Sequence, residues 1–199
     1  MLSFLAAVFF LLITPGPGVL STAGVGSGFG ARAGLRYVSG LWLGNNLVGL
    51  AVVSGLAAIV FSIPFLREVL AGLSFLYLLY LAAKIALSGS KIAFIHAEKA
   101  PGFLGGVALQ AINPKAYVVN AALYGGFGFW PDALGAEILV KFLLLNAVWI
   151  PVHLLWLGAG VGLHRLNLSQ RSHLIINFGM ALSMLAVVIL AALNSFSFH

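Results

Sequence analysis

Between Met1 and Arg32 there is no charged side chain, and this apolar run is interrupted near its middle by Thr14-Pro15-Gly16-Pro17-Gly18. Each proline removes a backbone donor and crowds the carbonyl four residues earlier, so a helix entering from Leu2 must break or kink near Thr14. In hydrocarbon, backbone groups freed by a break survive only where neighbouring helices, side chains or a water-filled cavity satisfy them. The motif therefore predicts a polar place inside a membrane protein. Asn113-Pro114-Lys115 repeats the interruption, with Pro114 lying 99 residues after Pro15. Paired interruptions in corresponding halves mark the binding site of secondary transporters.

Composition agrees. The chain has 199 residues, 62% hydrophobic and 7% charged, with a mean hydropathy of +1.11, against roughly 25% charged in soluble domains. At about 20 residues per span, that length accommodates six transmembrane helices and short loops, leaving no room within it for an ATPase or a large sensor domain. The net charge of +6 comes from ten basic residues scattered among apolar segments. Such scatter orients a membrane protein and forms no stripe for nucleic acid. The absence of cysteine removes any disulfide framework or thiolate site. The N-terminus lacks the basic region and small-residue cleavage site of a secretory signal, so the first helix is expected to be retained.

Charges and turn residues divide the sequence into six predicted helices, at about 2–24, 38–62, 68–87, 102–125, 137–162 and 174–195. Seven basic residues fall on the odd-numbered connections (Arg32, Arg36, Lys84, Lys91, Lys99, Arg165, Arg171) and two on the even ones (Arg67, Lys141). The odd connections are therefore expected in the cytoplasm and both termini outside. Three helices per half makes the halves inverted. The fold class expected is an all-α integral membrane protein built from two inverted-topology three-helix repeats, residues 1–88 and 102–199, joined by a cytoplasmic connection at 89–101, with helices 1 and 4 broken at their proline motifs. Glycine pairs at four-residue spacing, Gly24 with Gly28, Gly40 with Gly44 and Gly158 with Gly162, predict close helix packing. The four tryptophans are expected as interfacial anchors or packing residues.

Candidate substrate-binding residues gather at the two interruptions: Thr14, Pro15, Gly16 and Pro17 at the first, Asn113, Pro114 and Lys115 at the second. Helix ends there offer amides to a carboxylate and carbonyls to a cation or ammonium. Lys115 lies roughly 20 Å along the fourth helix, deep enough that it should face protein or water, the alternative being that the helix starts later and the side chain snorkels to an interface. Asn45, Asn46 and Asn146 interrupt otherwise apolar spans, and the 99-residue offset carries Asn46 to within one position of Asn146. The five histidines lack metal-ligand spacing and the four acids lie in or beside connections, so neither a metal nor a catalytic site is expected, nor any cofactor. For His153, the one histidine deep within a span, a packed and hydrogen-bonded role outweighs proton handling.

The chain resembles the LysE/RhtB family of amino-acid exporters. Thr14-Pro15-Gly16-Pro17 is similar to that family's first-helix signature, and Gly30-Ala31-Arg32-Ala33-Gly34-Leu35 to its Gly-x-Arg-x-Gly-Leu. Tyr77-Leu78-Leu79-Tyr80-Leu81 resembles its third-helix motif, and Asn113-Pro114-Lys115-Ala116 its fourth. Three positions depart from the pattern: Gly18 where Asn is common, Gly125-Gly126-Phe127 in place of Pro-Gln-Phe, and Ala82 in place of Gly. The resemblance implies six helices in inverted halves of a bacterial inner membrane, and efflux of amino acids driven by the proton-motive force, with H+ as the coupling ion. The expected partners are the lipid bilayer and a small zwitterionic substrate, with room for a homo-oligomer. The alternatives are an inorganic-ion exporter of the wider superfamily, which intramembrane acids would favour, and a non-transporting membrane scaffold, which predicts no flux and no effect from changing Lys115 unless folding fails.

Overall fold

A computed structural model describes residues 1–14, 16–56 and 100–165, with single positions between 62 and 83 and between 171 and 182. Most of the predicted third and sixth helices, and the connection at 89–101 apart from its last two residues, lie outside the described residues, as does Pro15.

Helix α1 (Leu2–Ile13) ends where Thr14 turns back on it. The Thr14 hydroxyl donates to the Phe10 carbonyl at 2.6 Å and its amide to the same oxygen at 3.2 Å, satisfying a carbonyl that a continuing helix would otherwise cover. Helix α2 (Pro17–Val53) opens with proline at its first position, where a missing N–H costs nothing. Within α2, Gly30 has φ 78° and ψ −178°, a conformation essentially reserved for glycine. The Tyr37 hydroxyl donates to Ser21 Oγ at 3.0 Å, although 16 residues of straight helix would separate them by about 24 Å. The chain therefore reverses at Gly30, and residues 17–29 and 31–53 are two arms of a helical hairpin. This corrects the predicted boundaries at 24 and 38. One glycine makes the turn, so no loop is needed, and Arg32 and Arg36 sit exposed in the first turns of the second arm.

Helices α3 (Phe103–Ile112) and α4 (Pro114–Gly125) meet at Asn113. At about 15 and 18 Å, they together have the length of one bilayer crossing. After a short 3-10 turn at Pro131–Ala133 comes α5 (Leu134–Arg165), of which Leu134–Leu163 is long and apolar enough to cross a membrane.

The described surface carries many large apolar side chains, unlike that of a soluble protein. Along α5, Glu137, Lys141, Leu145, Trp149, His153 and Leu157 recur every four residues on the buried side, while Leu139, Leu143, Leu154 and Leu155 are exposed. Exposed leucines and a buried ionic stripe fit a helix whose outer solvent is lipid. Glu137 and Lys141 form an ion pair at 2.8 Å. The second carboxylate oxygen accepts the amides of Phe129 and Trp130, and Lys141 Nζ donates to the Tyr124 carbonyl at 3.0 Å. Lys141 thus leaves the count of connection charges, and Glu137, expected beside a connection, is buried: the pair ties the segment after α4 to α5.

Without a hydrophobic driving force between helices in lipid, close backbone contact supplies the packing. A Cβ on Gly40 would overlap the Phe103 carbonyl, and one on Gly44 would lie 2.8 Å from Gln110 Cβ, so this glycine pair seats α3 on the second arm of α2. Against α5, the contact glycines include Gly26, facing the Leu157 carbonyl, Gly34, facing the Leu157 side chain, and Gly160, facing the carbonyl of Ala23. Gly158 and Gly162, expected at an interface, face open space among the described residues.

Candidate functional site

The two junctions meet. Lys115, in the first turn of α4, reaches back to the end of α1 and donates from Nζ to the Thr14 carbonyl at 2.9 Å. That places a cation at a helix C-terminus, where the last carbonyls lack intrahelical partners. Gly16 makes the approach possible, since a Cβ there would lie 2.9 Å from both Lys115 Cδ and Nζ. Between the junctions is a cavity of about 50 Å³, room for a few waters. Its polar border comprises Thr14, Gly16, Gly18, Asn45, Gln110, Asn113, Lys115 and His153; its apolar wall includes Leu11, Leu12, Val19, Val119 and Trp149.

Backbone groups dictate which end of each amide faces the cavity. The Lys115 N–H donates to Asn113 Oδ1 at 3.1 Å, capping α4, so the Asn113 NH2 must point the other way. It donates to Gln110 Oε1 at 3.1 Å, which leaves Gln110 Nε2 unbonded to any described residue. The same logic runs through the second pair. Asn120 Nδ2 donates to the Ala116 carbonyl at 2.7 Å and to Asn45 Oδ1 at 3.3 Å, so Asn45 too turns its NH2 outward from that pair. The donors at the cavity border are the Gln110 NH2, 3.9 Å from a Cβ placed on Gly18, the Lys115 ammonium, and the start of α2, where no side chain caps the helix end.

His153 supplies the opposite polarity. It is 3% exposed, and its ring stacks on Trp149 with centroids 3.5 Å apart and planes 13° from parallel. Its Nδ1 lies 2.9 Å from the Trp149 carbonyl. A carbonyl can only accept, so Nδ1 carries the hydrogen and Nε2 of the neutral ring is an acceptor. A Cβ on Gly18 would lie 3.5 Å from that Nε2 and 3.9 Å from Gln110 Nε2, so glycine at this position leaves the two side chains facing a common space.

Of the residues singled out from sequence, Thr14, Gly16, Asn45, Asn113 and Lys115 line the cavity. Pro17 and Pro114 occupy the first positions of their helices and shape the junctions without lining the space; Pro15 lies outside the described residues. Asn46 and Asn146 do not line it. They bond each other, Asn146 Nδ2 to Asn46 Oδ1 at 2.8 Å and Asn46 Nδ2 to Asn146 Oδ1 at 3.1 Å, with Trp42 Nε1 donating to the same Asn146 oxygen at 2.6 Å. These residues join α2 to α5, a packing role. Sequence reasoning passed over Gln110 and Trp149 and set His153 aside. Gln110 was legible as a polar residue one helical turn before Asn113, on the same face; Trp149 carried no signal that separated it from an interfacial anchor.

The sequence model of the family described as LysE type translocator matches residues 9–195. A protein of Enterobacter sp. strain 638 named leucine efflux protein is 29% identical over 86 residues, 43% of this chain and 41% of that one. The chain thus aligns with less than half the length of this relative. Proteins of the same name from Klebsiella pneumoniae and Salmonella choleraesuis are 24% and 25% identical, covering 75% and 74% of this chain and 79% of each of theirs. No solved structure matches the chain. With the family pattern running through both helix junctions and the cavity between them, the chain belongs to the LysE type translocators, a family of membrane transport proteins.

Proposed function

We propose that the protein exports amino acids or similar small zwitterions from the cytoplasm, by alternating access around the cavity between the α1–α2 and α3–α4 junctions, driven by the proton-motive force. The observation that carries this is the chemistry of the cavity: clustered donors for a carboxylate, acceptors for an ammonium, and an apolar wall for a side chain. The ion-exporter alternative fits less well, because no acidic side chain lines the cavity among the described residues and Glu137 is engaged by Lys141. Leucine is the first substrate to test, since the relatives are named for its efflux and the wall is aliphatic and aromatic.

In this proposal, six helices form two inverted repeats, with both termini outside and the 89–101 connection in the cytoplasm. Support comes from the likeness of the two junctions, each followed by a helix with proline at its first position, and from the bonding of Asn46 to Asn146 across the halves. In this reading a whole amino acid enters as α1 and α4 part, which breaks the Lys115 to Thr14 bond. The test is efflux of radiolabelled leucine from cells or liposomes with and without the protein, backed by growth rescue against a panel of toxic amino acids and dipeptides. Equal efflux and no rescue by any of them would sink the proposal.

A further inference from the structure

We infer that Nε2 of His153 accepts the substrate's ammonium group, so that a proton and the substrate exclude one another at this atom. This rests on the amino-acid reading above and deepens it. Among the acceptors on the cavity border, Asn45 Oδ1 already receives Asn120 Nδ2 at 3.3 Å and Asn113 Oδ1 the Lys115 amide at 3.1 Å. The Thr14 carbonyl already receives Lys115 Nζ at 2.9 Å, and Gln110 Oε1 already receives Asn113 Nδ2 at 3.1 Å. The Nε2 of His153 receives no hydrogen bond from any described residue, although its ring is held on the other side by the Trp149 carbonyl and the Trp149 ring. It is an oriented lone pair at the cavity border beside Gly18, the position that would crowd it if it carried a larger side chain.

Charge places the two ends of a zwitterion in the same sense. Lys115, reaching in from α4, is the charged group that borders the cavity with His153; α1, both arms of α2, and α3 contribute no acid or base to it among the described residues. Glu137 and Lys141 lie three turns and more away on α5, paired with each other. A carboxylate therefore sits toward Lys115 and an ammonium toward His153. A neutral imidazole has one lone pair at Nε2, able to accept an ammonium N–H or bind a proton, and unable to do both. When a proton from the water on one side takes that lone pair, the ammonium loses its acceptor and faces two cations. When the proton leaves to the other side, the lone pair is restored.

The experiment compares two probes on the purified protein between pH 5.5 and 8: leucine, and 4-methylpentanoate, which has leucine's carboxylate and aliphatic chain without the amine. In the parent, leucine binding should weaken as pH falls, approaching tenfold per pH unit at the limit of one-for-one competition, while 4-methylpentanoate binding stays level or tightens. His153→Asn, whose amide cannot take up a proton in this range, should bind leucine about tenfold more weakly at pH 8 and with a flat pH profile. Gly18→Ala, whose methyl would sit 3.5 Å from Nε2, should weaken leucine more than 4-methylpentanoate. The same pH slope for both probes in the parent overturns the inference, as does a His153→Asn protein that keeps the parent's slope. The parent comparison decides even if the variants fail to fold. A parent that binds neither probe at any pH removes the amino-acid exporter proposal, and this inference falls with it.

Discussion

Replacing Lys115 with Gln removes the cation that bridges the two junctions while leaving a polar side chain of similar reach. In the structure its ammonium makes one charge-assisted hydrogen bond, to the Thr14 carbonyl at 2.9 Å, and borders the cavity where a carboxylate would sit. A hydrogen bond to a charged group contributes about 1.5–3 kcal/mol. Lys115 is only half-buried, so the lower end applies, and at 1.4 kcal/mol per decade the substrate should bind roughly tenfold more weakly. Lys115→Arg keeps the charge with a different shape and hydration and should retain part of the activity. Gly16→Ala provides an independent perturbation, since its methyl would meet Lys115 Cδ and Nζ at 2.9 Å and push the flexible side chain off the Thr14 carbonyl without removing the charge. The assay is leucine counterflow in proteoliposomes at several external concentrations, with insertion checked by protease protection. Lys115→Gln should raise the half-saturating concentration about tenfold, whereas Gly16→Ala, which keeps the charge and loosens the bond that admission breaks, should leave it level or lower it. If Lys115→Gln transports like the parent at every concentration, the lysine serves only to cap α1, and substrate handling rests on the amides and helix ends.

Gly30→Ala forces a side chain into a conformation that costs about 1–3 kcal/mol for a residue other than glycine, and should lower the melting temperature in detergent by several degrees, at about 2–4 °C per kcal/mol; an unchanged melting temperature would contradict the reversal of α2 at this residue. Gly40→Ala drives a methyl into the Phe103 carbonyl, whereas a methyl at Gly158 meets nothing within 4 Å; only the first should destabilise the protein, and equal melting curves would remove the close packing of α2 on α3. Asn46→Ala and Asn146→Ala should be non-additive in unfolding, with a coupling near 0.6 kcal/mol as found for polar pairs in membrane proteins, and with the half-saturating leucine concentration unaltered; additive effects would refute the pairing. A cysteine at position 90 should resist an impermeant reagent added to intact cells while one at 197 reacts, and the reverse labelling would overturn the proposed orientation.

Sequence alone determined the solvent and which chain interruptions border the candidate cavity. Thirty-one residues without a charge and 62% hydrophobic content leave lipid as the only environment for most of the surface, and lipid makes every backbone interruption a polar feature that must be housed. That is why two proline motifs far apart in the chain were enough to single out Thr14, Gly16, Asn113 and Lys115. Tertiary structure decided what periodicity and spacing do not encode. Asn45 and Asn46 are adjacent in sequence, yet a helix turns consecutive residues about 100° apart, so one borders the cavity and the other bonds Asn146. Gly30 could be recognised as a motif glycine, but its reversal of the chain depends on a backbone torsion that composition does not carry. His153 has the same composition wherever its ring points; only the Trp149 carbonyl, fixing Nδ1 as the donor, makes Nε2 a free acceptor beside Gly18. Direction of a lone pair is a property of packed neighbours, and it is set by the fold.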